Sequence, residues 1–285
     1  MMESTKQKIA VLLTVHNRKD KTVNCLANIY NQHIPKNIQI DVYLTNDGCT
    51  DGTPKIVTKK FPQVHIVEGD GNLFWNRGMY KAWCAAETSA YDYYLWLNDD
   101  TMLMENSITS LLDASDKCAN IAIIVGYTLD SSKKRITYGG RDKFKGLITN
   151  VSGLTQCDTF NGNIVLIPNY VYSIVGKNDP TFHHAIGDTD YGLRAQKAGI
   201  DSYISPVVCG ICDTHEKLPK WCDKNVPLFR RIKFLYSPGG NGASPIEFFI
   251  YKRRHYGFIA AVSTLVSNHL HLLFPKLWKK DASKY

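Results

Sequence analysis

The chain has 285 residues with a 44% apolar fraction, which fits one large α/β domain, or a smaller domain plus an appendage, with a sizeable core. The eight scattered cysteines and the polar start MMESTKQK, with no signal-peptide pattern, argue against a disulfide framework and for free thiols in a reducing, cytoplasmic compartment. The net charge of +8 is uneven: residues 216–285 hold 13 Lys/Arg against 4 Asp/Glu, a net of +9, and the near-neutral remainder carries no nucleic-acid motif, so the basic tail points to an anionic membrane surface rather than to nucleic acid.

Lys8 to Val15, KIAVLLTV, is a continuous apolar run of strand length, as expected for a strand buried on both faces of a parallel sheet. Lys19 to Tyr30 has apolar residues at helical spacing. Ile38 to Leu44 reads as a second strand, followed by the turn-rich NDGCTDGT at 46–53 and a short helix over Thr53 to Lys60. Val64 to Val67 is a third strand, Phe74 to Ala86 a helix, and Tyr91 to Leu97 a fourth strand ending in Asn98-Asp99-Asp100. This alternation predicts a doubly wound, mostly parallel sheet, with ligands at the carboxyl ends of its strands. Polar clusters follow the apolar runs there: HNR at 16–18, NDG at 46–48 and NDD at 98–100. The second half is less regular. Strands are expected at Ile121 to Gly126, Arg135 to Gly139, Gly162 to Ile167 and Ser202 to Cys209, with a helix over Gly187 to Ala198. SPGGNG at 237–242 reads as a hinge before an aromatic, basic segment.

Three clusters can carry chemistry. The adjacent carboxylates Asp99 and Asp100 at a buried strand's end need a cation or solvent to offset their charge, and a divalent ion bridging two phosphates needs few protein oxygens. The competing reading is a polar turn before a helix near Glu105. In the 46–53 loop, Asp47 can accept the imide N–H of uracil or thymine, while Asp51 and Thr53 suit a helix N-cap. In GDTDYGLR at 187–194, after His183 and His184, Asp188 can act as a general base or cap a helix. Arg77 can pair with a phosphate or stay solvated. Cys209, Cys212, His215 and Cys222 match zinc ligands by type and spacing, but the place of the first two at a strand end favours packing.

In this order and spacing the clusters resemble the family 2 glycosyltransferases, which have a GT-A-type α/β fold. The likeness covers roughly residues 8 to 215. It rests on Val15-His16-Asn17-Arg18, on NDGCTDGT, on the Gly69–Gly78 helix start GDGNLFWNRG, on Asn98-Asp99-Asp100 as the DxD-type triplet, and on GDTDYGLR as the acceptor-side segment. The GNLFW stretch is similar to bacterial members that build surface polysaccharides, rhamnosyltransferases among them. Asn46, Asn98 and Gly187 depart from the family's acids at their positions, which leaves the donor open. The resemblance implies an inverting transfer from a nucleoside-diphosphate sugar, UDP- or dTDP-linked, to a hydroxyl of a glycan or lipid-linked acceptor. It makes Asp188 the base. The donor would be contacted by Thr14, His16, Asn17, Arg18, Asn46, Asp47, Asn72, Trp75, Arg77, Asn98 and Asp99, with Asp100 and His215 holding Mg²⁺ or Mn²⁺. Residues 1–215 would form the catalytic domain, nucleotide-binding to about 100 and acceptor-side beyond, and 216–285 a basic extension.

In that extension Phe248 to Tyr256 interleaves aromatics with cations, and Phe258 to Phe274 is apolar but too short and polar to span a membrane, so an interfacial helix or one packed on the domain is expected. Two rivals remain. A sugar nucleotidyltransferase would carry a glycine-rich loop after the first strand, which HNRKDK lacks. A non-catalytic carbohydrate-binding relative would lose the metal acid or the base, and both Asp100 and Asp188 are present.

Overall fold

The structure is a computed structural model that describes residues 6–214, 220–237 and 244–275. His215, the hinge expected at 237–242 apart from Ser237, and KLWKK at 276–280 lie outside the described residues. The first half alternates as the sequence predicts: β1 (Gln7–Val15), α1 (Lys19–Tyr30), β2 (Ile38–Asn46), α2 (Thr53–Lys60), β3 (His65–Glu68), α3 (Phe74–Ala86) and β4 (Tyr93–Leu97). The second half runs β5 (Met102–Leu103), α4 (Ser107–Lys117), β6 (Ile123–Leu129), β7 (Ile136–Tyr138), β8 (Gly140–Asp142), β9 (Gly146–Leu147), β10 (Thr155–Cys157), β11 (Thr159–Phe160), β12 (Ile164–Pro168), α5 (Asn169–Val175), α6 (Gly187–Lys197) and β13 (Ser202–Ile211). A 3-10 turn at Lys220–Cys222 then precedes α7 (Leu228–Tyr236), α8 (Pro245–Tyr256) and α9 (Phe258–Leu273).

The main sheet has the order β10-β13-β6-β12-β4-β1-β2-β3. β3, β2, β1 and β4 are mutually parallel, as are β6 and β13, while β12 runs antiparallel between β4 and β6. The continuous apolar run of β1 now has its reason. Ile9, Val11, Leu13 and Val15 face a core completed by α1, α2 and α4, and Ala10 and Leu12 face a second core completed by α3 and α6. A strand buried on both faces cannot alternate apolar with polar residues.

Because β12 is antiparallel to β4, its amino end lies beside the carboxyl end of β4, with Ile164 paired to Leu97 and the Asn98 N–H donating to the Asn163 carbonyl at 3.0 Å. Gly162 and Asn163 therefore join the crevice edge already formed by the ends of β1, β2 and β4. The edge has a topological reason: it is where strand order reverses around β1 and β4.

In the last third, α8 packs its Tyr251 with Phe182 and Ile186, and α9 closes over Trp221, Cys222 and Leu235 with Leu272. No helix among the described residues is long and apolar enough to cross a membrane.

Candidate active site

Asp47, at the end of β2, is nearly enclosed at 3% exposure. Its carboxylate accepts the backbone N–H groups of Gly71 (2.8 Å), Leu73 (3.0 Å) and Phe74 (3.0 Å). The first N–H groups of α3 lack partners within the helix, and Leu73 at its cap supplies none, so Asp47 satisfies them from another strand. Both oxygens thus serve the 69–74 loop, and Asp47 shapes the start of α3 at the strand-end crevice. Gly48 must pass close to that loop, since a Cβ there would lie 2.7 Å from the Gly71 Cα.

Asn46 is engaged likewise, donating to Glu68 at 2.7 Å and accepting from the Cys49 N–H at 3.1 Å. Thr14 points under α3 and not into the crevice, because a Cβ on Gly78 would meet its Oγ1 at 2.1 Å. At the β1 exit, Asn17 adopts φ +52° and accepts from the Thr50 N–H at 2.7 Å, joining the loops that follow β1 and β2. His16 is exposed, with Nδ1 2.5 Å from the Asp47 carbonyl, and Asn72 is exposed above the α3 start.

Arg18 joins this side to the acidic triplet. Its Nη1 lies 3.1 Å from Asp99 and 2.9 Å from Asp100. Asp99 is buried, also accepts from Thr22 Oγ1 at 3.3 Å, and burial pushes its carboxyl up to about 6 against the pull of Arg18. Asp100 sits at the crevice edge with Lys21 Nζ at 3.8 Å and the Cys212 thiol at 3.9 Å. Asn98 accepts the indole N–H of Trp75 at 2.7 Å, so the expected donor contacts Trp75 and Asn98 meet in one bond. Trp75 lies against Gly162, where a Cβ would come within 2.3 Å of its ring. Arg77 donates through Nε to the Pro180 carbonyl at 2.8 Å.

Across Trp75 from Asn98 is Asp188, in the first turn of α6. One carboxylate oxygen accepts the Gly162 N–H at 2.9 Å and the other the Thr189 N–H at 2.7 Å. Burial raises its pKa above the ordinary carboxylate value, against those two amides. Asp188, Gly162, Trp75 and Asn98 thus form a chain of contacts across the crevice. Three further groups lie near Asp188 in the chain and could take a proton: Asp190, His183 and His184. Asp190 is fully buried among Arg194 (2.9 Å), Arg254 (2.8 Å) and His255 (2.8 Å), so it serves structure. The His183 ring is bonded to Glu247 at 2.6 Å. His184 remains accessible, its pKa lowered by desolvation within the crevice and by the Arg18 charge.

Sequence reasoning missed Asn76. It is fully buried in a helix, and its Nδ2 donates to the carbonyls of Asp179 and Phe182, both at 2.7 Å, while Asn178 donates to its Oδ1 at 2.7 Å. It fastens the loop before Asp188 onto α3. A buried amide in a helix interior has to find such partners, which is the signal that could have found it. Glu247, Arg254 and His255 were also missed, being far from the motifs in sequence.

The fold is shared with solved glycosyltransferases. The S. aureus TarS 1-349 complex with UDP-GlcNAc superposes with a TM-score of 0.60 at 12% identity, covering 94% of this chain and 73% of that one. The mannosyltransferase PcManGT from Pyrobaculum calidifontis, in complex with GDP-Man and Mn²⁺, gives 0.52 at 14% identity, covering 93% and 76%. Against a longer S. aureus TarS structure the score is 0.57 at 11% identity, and this chain spans 44% of that length. No curated protein matches the sequence. The profile of Glycosyl transferase family 2 matches residues 10–166, from β1 through the acidic triplet into β12, so the strand ends that build the crevice lie inside the matched segment and the chain belongs to glycosyl transferase family 2.

Proposed function

We propose that the protein transfers a sugar, with inversion, from a UDP- or dTDP-linked donor to a hydroxyl of a glycan or lipid-linked acceptor, in the manner of surface-polysaccharide rhamnosyl- and hexosyltransferases. The observation that carries the reading is the contact chain from Asp188 through Gly162 and Trp75 to Asn98, which sets a carboxylate of raised proton affinity across a tryptophan from the acidic triplet. Asp188 takes the acceptor proton, and Trp75 supplies an apolar wall that keeps water from competing. Arg18, with His16 and Asn17, faces the diphosphate.

Among the described residues no three His, Cys, Asp or Glu side chains gather into a metal-holding group, but the carboxylate of Asp100, beside that of Asp99, is of the kind that would suit Mg²⁺ or Mn²⁺. When bound, the ion would neutralise the departing diphosphate. His215 would complete that set. Arg18, bonded to both acids, offsets their charge. The test is a thermal-shift screen of UDP-, dTDP- and GDP-sugars with and without Mn²⁺ on the wild type and Asp100→Asn. Stabilisation that needs the ion in the wild type and vanishes in the variant is the expected outcome. Ion-independent stabilisation in both would refute the metal role.

The acceptor side sits at an anionic membrane in this reading. α7 exposes Phe229 at 69% and Ile232 at 43%, α9 exposes Ile259 at 85%, Val266 at 51% and Leu273 at 53%, and residues 216–285 carry a net +9.

A further inference from the structure

We propose that α8 is a strap that holds the loop 178–188 in its working shape, with Glu247, Arg254 and His255 as positioning residues for the Asp188 side of the crevice. This rests on the reading of Asp188 as base.

His183 is gripped from both sides. Its carbonyl accepts the Asn76 N–H at 2.9 Å and the Arg77 N–H at 3.4 Å, which fixes it to the start of α3. Its ring Nδ1 lies 2.6 Å, and its backbone N–H 3.5 Å, from the Glu247 carboxylate of α8. Ser244-Pro-Ile-Glu247 has the spacing of a capping box, and the Ser244 Oγ does accept the Glu247 N–H at 3.3 Å. The Glu247 side chain, however, reaches across to the loop, so the residue both opens α8 and holds His183.

Arg254 spans the two ends of the same loop. One nitrogen lies 2.7 Å from Asp179 and another 2.8 Å from Asp190, with the guanidinium over the Phe182 ring at 5.5 Å. His255 adds a contact to Asp190 at 2.8 Å. Burial alone would raise the Asp190 carboxyl, but His255 and Arg254 hold it below the ordinary range. A fully buried carboxylate two residues after Asp188 therefore has two of its three partners on α8. Removing them would leave this buried carboxylate in the first turn of α6 with Arg194 in place of three partners.

Between these grips the backbone is strained. Ile186 adopts φ +76°, a left-handed conformation that β-branched residues avoid, directly before Gly187 and Asp188. Phe74 at the α3 start, its ring 6.3 Å from those of His183 and His184, has φ +56°. Such conformations persist only where the surroundings over-determine them. The seam of Phe182, Ile186 and Tyr251 with the ionic contacts of α8 supplies that determination. An Asp188 carboxylate 2.9 Å from the Gly162 N–H depends on it.

The test uses the full chain with Glu247→Ala, Glu247→Gln, Arg254→Ala and, alongside, Asp188→Asn. Amide hydrogen exchange is followed over residues 179–189 and over β1 and β4. Binding of UDP, dTDP and GDP is measured by calorimetry, and nucleotide release from UDP-GlcNAc and GDP-mannose gives turnover. Both alanine variants should speed exchange in the loop about tenfold or more, leave β1 and β4 unchanged, and lower kcat without weakening nucleotide binding. Glu247→Gln, which keeps an oxygen for His183, should restore both. Should Arg254→Ala lose cooperative melting, the Glu247 pair decides alone, because it leaves the Asp190 cluster intact. Loop exchange within twofold of wild type in Glu247→Ala overturns the strap. If Asp188→Asn keeps full turnover while Glu247→Ala loosens the loop, the base reading falls and the strap stands. If Asp188→Asn loses turnover and Glu247→Ala changes neither exchange nor kcat, the strap falls and the base stands.

Discussion

Asp188→Asn separates catalysis from the structural work of this carboxylate, and the structure sets the size of each effect. From sequence alone the substitution looks neutral for folding, since Asn and Asp cap helices about equally well. The structure changes that expectation. Both carboxylate oxygens accept N–H groups, from Gly162 at 2.9 Å and Thr189 at 2.7 Å, and an amide offers only one oxygen. One bond to a charged acceptor, worth about 1.5–3 kcal/mol, is lost. The negative charge in the first turn of α6 goes as well, worth about 0.3–1 kcal/mol. Relief of the desolvation that raises the Asp188 pKa offsets part of both. The net cost is about 1–3 kcal/mol, a fall in Tm of several degrees from a total stability of about 5–15 kcal/mol. The variant therefore stays folded at 25 °C, and a rate loss beyond tenfold cannot come from unfolding. Loss of a general base should lower kcat by about 10²–10⁴ with nucleotide affinity unchanged. Calorimetric melting, nucleotide binding and sugar-transfer or donor-hydrolysis rates measure the three quantities. Turnover within threefold of wild type, with the Tm lowered, would refute the base assignment and leave Asp188 as a latch between α6 and β12. His184 would then be the remaining accessible base, since Asp190 is locked in its ion cluster and His183 is held by Glu247.

Asp47→Ala strips the start of α3 of its acceptor for Gly71, Leu73 and Phe74 and should cost about 3 kcal/mol or more, with loss of nucleotide binding read by calorimetry; binding at wild-type strength would show that the 69–74 loop holds its shape unaided. Asp99 has a folded pKa of about 6, above the ordinary 3.8, so its protonated form favours the fold; this stability is fully present below pH 3.8 and is lost as pH rises through about 6, by at most about 3 kcal/mol. Melting of Asp99→Asn from pH 4 to 7.5 should lack that component, and parallel wild-type and variant Tm profiles would contradict it. Vesicles containing phosphatidylserine should bind the full chain in a salt-sensitive way, and Ile259→Asp with Val266→Asp on the exposed face of α9 should release it; salt-insensitive binding unaffected by the pair would count against the membrane reading.

The sequence by itself determined the alternation of strands and helices, the buried character of β1 and the placing of HNR, NDG and NDD at the carboxyl ends of strands. These follow from local periodicity, because a strand covered on both faces has to be apolar throughout and a helix has to present one apolar stripe. The place of the acidic triplet was legible for the same reason, as polar residues just where the apolar run of β4 stops. What each side chain does there was decided by tertiary structure alone. That Asp47 holds three N–H groups some 25 residues away could not be read from its own loop. Thr14 sits among the nucleotide motifs, yet its face of β1 meets Gly78. The largest gap was α8, which sequence placed in a separate basic extension. Its Glu247 and Arg254 become partners of His183, Asp179 and Asp190 only because folding brings together segments 64 to 75 residues apart. Burial periodicity is written into neighbouring residues; the partner of a buried charge is fixed by whichever distant segment reaches it, and no local pattern records that.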